Sequence, residues 1–253
     1  MLILLPPSEA KTAPRRGGVL RPDTWPVDLA QPREEVIAAL IGLCQGDATK
    51  AAEVLGLGPS QADEVRRNAI LLSAHTARAD RVYSGVLYEA LDLATLSKNA
   101  RRRASSWLRI TSGLFGAVSP TEPIPAYRLG GGVSLPGIGP LASYWRGRLG
   151  PVVTAAAGSG LVVDLRSSTY AGFWRPTPQQ ARRVVTVRVL HEIDGRRSIV
   201  SHFNKATKGR LVRAMLQDDR VAGTPGALAN QLTDLGWMVE RDGSQLDVIV
   251  PTL

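Results

Sequence analysis

The sequence predicts a mixed α/β fold forming a single domain over residues 1–253, and three observations carry that expectation. Short apolar runs of strand length alternate with segments of helical spacing along the chain. With 44% hydrophobic and 21% charged residues among 253, there is enough apolar material for one sizeable core. Neither an internal repeat nor a low-complexity tract interrupts the pattern.

The elements follow in order. Met1 to Leu5 is an apolar run closed by two prolines and reads as a first strand. It lacks a basic flank and a small-residue cleavage site, so a signal peptide is not expected. Pro6 to Pro26 holds five prolines and is loop. Arg33 to Cys44 has helical spacing with Glu34 and Glu35 in its first turn. Asp47 is placed to cap a second helix through Leu55, and Ser60 a third through Leu72. Between Ala79 and Leu96, RVYSGV reads as strand and the remainder as helix. Further strands are expected at Leu108–Thr111, Leu161–Leu165, Val184–Leu190 and Ser198–Phe203. Residues 244–250 are a final strand, paired in a hairpin with Trp237–Glu240.

Charge is unevenly spread. From Leu93 to Gln217 there are 19 Lys/Arg against four acids, Glu122, Asp164, Glu192 and Asp194, whereas the rest of the chain has 12 against 18. Such a window attracts a polyanion, unless it is only an arginine-rich surface. Its densest part is SHFNKATKGRLVRAMLQ, 201–217. Asn204 as N-cap places Lys205 and Lys208 in the first helical turn, where cations are disfavoured unless an anion sits there. Helical projection turns Lys205 and Lys208 inward, to line a cleft with Lys11 and Arg128. It turns Arg210 and Arg213 outward as a basic rim.

Two glycine patterns resemble the hairpin of a helix-hairpin-helix, whose backbone N–H groups hold a DNA phosphate. Leu55-Gly56-Leu57-Gly58, with Gly56 and Gly58 at the turn, lies between helix candidates in a subregion spanning 46–72. Leu135 to Pro140 is closer in letters, but LGGGVS before it cannot be a helix. Ser8 and Lys11 follow the first strand, and Ser167 and Tyr170 follow another. Strand-end loops of this kind carry ligand groups in α/β proteins, or are simply turns. His202 beside the basic helix either contacts phosphate or is an ordinary histidine. His75, His191 and His202 lack zinc-motif spacing, and no metal or cofactor is expected. A single cysteine, Cys44, excludes an intrachain disulfide and fits a reducing cytosol. No run approaches a membrane span, and a cytoplasmic monomer is expected.

LLPPSEAKT (4–12), LRITSGLFGAVSPTEPIPAYRLGGG (108–132), VVDLRSSTYAGFW (162–174) and SHFNKATKGRLVR (201–213) occur in the order of the YaaA peroxide-stress family, which this chain resembles as a divergent, actinobacterial-like branch. Gly131 and Gly132 stand where that family usually has an acid, Phe115 replaces a tyrosine, and Thr169 replaces a glutamate. The resemblance implies one unusual α/β domain with a basic cleft and a helix-hairpin-helix-like element. It also implies a cytosolic protein that binds double-stranded or distorted DNA and limits iron-driven peroxide damage. No enzymatic reaction comes with it. The rival expectation is an enzyme acting on a nucleotide or nucleic acid in a phosphate-binding pocket around Lys11.

Overall fold

The computed structural model describes residues 1–193, 196–198 and 201–251. Eight strands form the main sheet: β1 Leu2–Leu5, β2 Leu108–Ser112, β3 Gly116–Val118, β4 Val162–Asp164, β5 Val184–Ile193, β6 Arg196–Ser198, β7 Met238–Asp242 and β8 Gln245–Pro251. Their order across the sheet is β7-β8-β5-β4-β1-β2-β3, with β6 added alongside β5. The pairs β1–β2, β1–β4, β4–β5 and β5–β8 are parallel. The expected α/β fold is therefore present, with antiparallel hairpins at both margins. All four residues of β1 are buried, as a central parallel strand covered on both faces requires. Side chains from every part of the chain, Leu2 through Val248, join one hydrophobic cluster.

The chain leaves β1 toward β2 on one side and later returns to β4 on the other. The strand order thus reverses at β1. In open α/β sheets such a reversal leaves a crevice beyond the carboxyl ends of the strands. The loops after β1 and β4, carrying Lys11 and Tyr170, start at that edge.

The helices of the frame include α1 Val27–Gln45, α2 Ala48–Leu55, α3 Ala62–Ala69, α4 Val86–Leu91, α5 Lys98–Trp107, α6 Leu149–Ala157, α7 Ser201–Gln217 and α8 Pro225–Asp234. Helix α1 starts six residues before the expected Arg33 and runs through Pro32. Its buried stripe continues back to Leu29, so packing outweighs the backbone bond that the proline removes. Asp47 caps α2 as expected, accepting from the Lys50 N–H at 2.9 Å. Ser60 does not cap α3; Gln61 Oε1 instead accepts from the Gly58 N–H at 3.0 Å across a 3-10 turn. Residues 79–82 are a helical turn and not a strand, and Tyr83 makes a single bridge to Lys11. Helix α7 begins at Ser201, so Ser198–Phe203 is not one strand and Asn204 is a buried helical residue. Lys205 and Lys208 therefore lie in the second turn, beyond the first turn where the helix N-terminus acts most strongly.

Gly209 sets how closely α7 approaches α4. A Cβ there would overlap the Leu87 carbonyl oxygen and stand 2.9 Å from Ala90 Cβ. Among the described residues no helix is long and apolar enough to cross a membrane.

Candidate functional site

Lys11 ends the loop that leaves β1. The Thr12 N–H donates to the Val82 carbonyl at 2.8 Å, and Lys11 bridges Tyr83, which fixes the loop against the 82–84 segment. The half-buried ammonium donates to the Ser8 carbonyl at 2.7 Å. It lies 4.2 Å from the ring centre of Tyr127 and 5.4 Å from that of Tyr83. Both rings are buried, and their hydroxyls are 2.8 Å apart. Ser112 Oγ at the end of β2 completes the chain, 2.7 Å from the Tyr127 hydroxyl. Lys11 thus rests on an aromatic floor whose polar atoms are satisfied among themselves.

Arg128 stands beside it. Asn68 of α3, fully buried, accepts from the Arg128 N–H at 2.9 Å and donates to its carbonyl at 2.7 Å. That two-way clamp fixes the backbone while the guanidinium reaches Glu9 at 2.9 Å. Glu9 is 80% exposed, so an incoming anion has little to displace. Burial first, then the charge of Arg128, pushes the Lys11 ammonium down to about 7 from an ordinary 10.5.

The loop after β4 supplies the opposite wall. Buried Arg166 pairs with Asp164 through Nε at 2.9 Å and a terminal nitrogen at 2.7 Å. It also donates to the Tyr170 and Trp174 carbonyls, each at 3.0 Å, and so shapes the whole turn. Tyr170 is thereby brought over Gly131: a Cβ at 131 would stand 2.7 Å from its Cε1. A side chain at 131 would therefore collide with the Tyr170 ring, which requires glycine there. Glu9 and Arg128 are the charged neighbours of the Tyr170 hydroxyl. Ser8 also faces this region, its Oγ 3.1 Å from where a Cβ on Gly85 would lie. Ser167 is exposed and starts the short 168–171 helix without a side-chain cap.

The remaining expected residues do not converge in the same way. Lys208 is partly buried, and its Nζ donates to the Leu165 carbonyl at 2.8 Å just beyond β4. The charged groups that act on Lys11 are Arg128, Glu64, Glu9 and Arg67, whereas Asp164 alone acts on Lys208. Lys205 is exposed and does not turn inward, because the buried face of α7 runs through Asn204, Thr207, Leu211 and Met215, and Lys208 lies nearer to it than Lys205. Arg210 is exposed as projected. Arg213 is not a free rim cation. It donates to the Leu91 and Asp92 carbonyls at 2.9 and 2.7 Å, where it serves the open carboxyl end of α4. The side chain of His202 lies outside the described residues.

Gly56 has φ +64° and ends α2 in a left-handed cap, with its N–H turned to Glu53 and that of Leu57 to Ala52. With Gly58 bonded to Gln61, the amides of this turn are engaged within the turn itself. The 135–140 segment is part of a small two-stranded hairpin, 134–135 with 139–140.

Much of the basic window is also neutralised by distant acids. Arg103 pairs with Asp219, Arg188 with Asp247, Arg197 with Glu240 and Arg128 with Glu9. Cys44 is buried, which pushes its thiol up and away from the reactive thiolate.

The Lys11 environment has a measurable signature. The folded value of about 7 lies below the ordinary 10.5. Between those limits the unfolded chain holds a proton that the folded chain has released, so stability rises with pH across this window. In urea titrations from pH 7 to pH 9, the parent is expected to gain stability relative to Lys11→Met. Parallel profiles for the two proteins would remove burial as the governing influence on Lys11.

Asn68, Tyr127, Asp164 and Arg166 were not singled out by sequence patterns as site residues. The spacing of Asp164 and Arg166 at a strand end was the one local signal.

Comparison with known proteins identifies the family. A family model described as peroxide stress protein YaaA matches residues 1–241. A UPF0246 protein of Streptomyces coelicolor is 47% identical over 99% of this chain and 98% of its own length. Similar proteins occur in Corynebacterium efficiens, 42% identical over 95% of both chains, and in Corynebacterium glutamicum, 36% identical over 98% of both. With nearly the whole length matched, and with the four sequence blocks placed around one end of the central sheet, the chain belongs to the YaaA peroxide stress protein family.

Proposed function

We propose that this protein acts in the cytoplasm during peroxide stress by binding double-stranded or distorted DNA, and that this limits damage driven by iron. Affinity comes from phosphate contacts and not from base readout. The observation that carries the reading is on α7: Lys205 and Arg210 are exposed, and neither is paired with a carboxylate among the described residues. The same helix sends Lys208 to the Leu165 carbonyl just beyond β4. A backbone lying along α7 would thus meet cations that the distant acids leave unneutralised. The turn amides at Gly56 and Gly58 add little to this reading, because they are already engaged.

The test is fluorescence anisotropy with a labelled duplex, a bubble duplex and a single strand, titrated with salt. Salt-sensitive duplex or bubble binding is expected. Lys205→Ala with Arg210→Ala should shallow the slope of log K against log salt by about 0.9 for each phosphate that is no longer neutralised. A folded parent that binds no duplex at low salt defeats the proposal.

A second reading, an enzyme with a small-molecule pocket at Lys11, is favoured by a specific observation. Lys11 is the lysine at the sheet's reversal point, its bonds go only to carbonyls, and it sits at about 7. A group of that strength exchanges protons readily at neutral pH.

A further inference from the structure

Of the 31 basic residues, only five are lysine: Lys11, Lys50, Lys98, Lys205 and Lys208. The structure gives the two side-chain types different work. Every ion pair to a carboxylate among the described residues uses an arginine, from Arg21–Asp23 to Arg220–Asp234. The two half-buried lysines, Lys11 and Lys208, donate instead to backbone carbonyls at the ends of strands. Ion pairing with carboxylates is therefore the work of arginine among the described residues. A lysine differs from arginine in one chemical respect that matters inside a protein: it can give up its proton and expose a nucleophilic lone pair.

Burial lowers the Lys208 ammonium as well, but there Asp164 is the charged neighbour and favours the protonated form. Among the described residues Lys11 has no ion-pair partner, although the charges of Glu64 and Glu9 act on it; it lies on the Tyr127 ring, with Arg128 nearby. The nearby carboxylate of Glu9 is committed to Arg128 and mostly exposed.

We propose that Lys11 is an amine nucleophile that condenses with the carbonyl group of a small aldehyde or ketone bearing a phosphate or carboxylate, with Arg128 holding the anionic end. The proposal rests on the second reading above, a small-molecule pocket at Lys11. The nitrogen lone pair attacks the carbonyl carbon, and a proton passes from nitrogen to the carbonyl oxygen. The resulting carbinolamine then loses that oxygen as water together with the remaining N–H proton. One C=N bond replaces one C=O bond, and nothing is oxidised or reduced. At neutral pH roughly half of the molecules carry the free amine that the first step needs, given a value of about 7. Arg128 is suited to the anion because its backbone is locked by Asn68 while its present partner, Glu9, can move into solvent.

The experiment uses the full chain with pyridoxal 5′-phosphate, trapped by sodium borohydride and read by intact mass and peptide mapping. The expected result is one dominant adduct, on Lys11, absent in Lys11→Arg. Its labelling rate should be half-maximal near pH 7. Arg128→Gln should slow this labelling about tenfold, the worth of one charge-assisted contact, while labelling by unphosphorylated pyridoxal stays within about twofold. An adduct spread over all five lysines, or a half-maximum near that of a surface lysine, overturns the nucleophile. Equal sensitivity of both aldehydes to Arg128→Gln overturns the anion-holding role. Calorimetric titration with inorganic phosphate separates the two levels. Phosphate binding that disappears in Lys11→Met, with no trapped adduct in the parent, keeps the pocket and removes the nucleophile. Neither binding nor adduct removes both.

Discussion

Arg33→Met is expected to destabilise the fold by about 3–5 kcal/mol, the usual cost of removing one partner of a buried charge pair. Arg33 lies on α1 and is fully buried. Its Nε donates to the Phe115 carbonyl at 3.0 Å and a terminal nitrogen to the Ala117 carbonyl at 2.7 Å, while the other pairs with Glu122. The Trp25 and Phe115 rings lie on it, each 5.5 Å from the guanidinium carbon. Methionine fills much of the volume but takes the guanidinium from the Ala117 carbonyl and from Glu122, whose carboxylate keeps the Ser119 N–H, while the Phe115 carbonyl keeps the Ala117 N–H. The unfolding midpoint in urea should fall with little change in slope. The double variant Arg33→Met with Glu122→Gln should recover part of the stability, since one stranded charge is gone. A destabilisation below about 1 kcal/mol would show that Arg33 does not hold the β2–β3 turn, because that is the net value of an ordinary hydrogen bond.

Gly209→Ala is the second large effect. In a free helix alanine is favoured over glycine by about 1 kcal/mol. Here the new methyl meets Leu87 backbone and Ala90 across the α7–α4 contact, so the helices must separate. Overpacking of this kind costs about 1–3 kcal/mol, and the obstructing atom is backbone, which cannot rotate away. A net loss of stability is expected, about 2–4 °C in melting temperature per kcal/mol for a chain of this size. Any separation also draws Lys208 back from the Leu165 carbonyl. A variant as stable as the parent would mean that α7 and α4 are less closely packed than the structure has them.

The same two residues show where sequence reading stops. Arg33 is a charged residue in the first turn of an expected helix and looks like a surface group. Only the fold reveals that the stripe containing Leu29, Val36 and Leu40 also contains Arg33. Gly209 in KGR looks like a defect in a basic helix until α4 is placed against it. The central strands, by contrast, were legible, because apolar and β-branched runs such as LILL and VVTVRVL carry their preference locally. Helix α2 was legible for a similar reason: Asp47 and Gly56 are local start and stop signals. The start of α7 was not. Ser201 to Phe203 offer no such signal, and the run before them reads as strand.

For the site, the sequence by itself determined its family blocks, its strand-end loops and its supply of cations. Those are properties of neighbouring residues. Which cations remain available was decided by tertiary structure alone. Arg103, Arg188 and Arg197 meet acids from outside the basic window, and Arg213 is spent on a helix end. Lys11 acquires its unusual proton affinity from burial and from Arg128, more than a hundred positions away. Coulomb energy and desolvation depend on distance through space and on exclusion of water, and neither quantity is written in the order of residues.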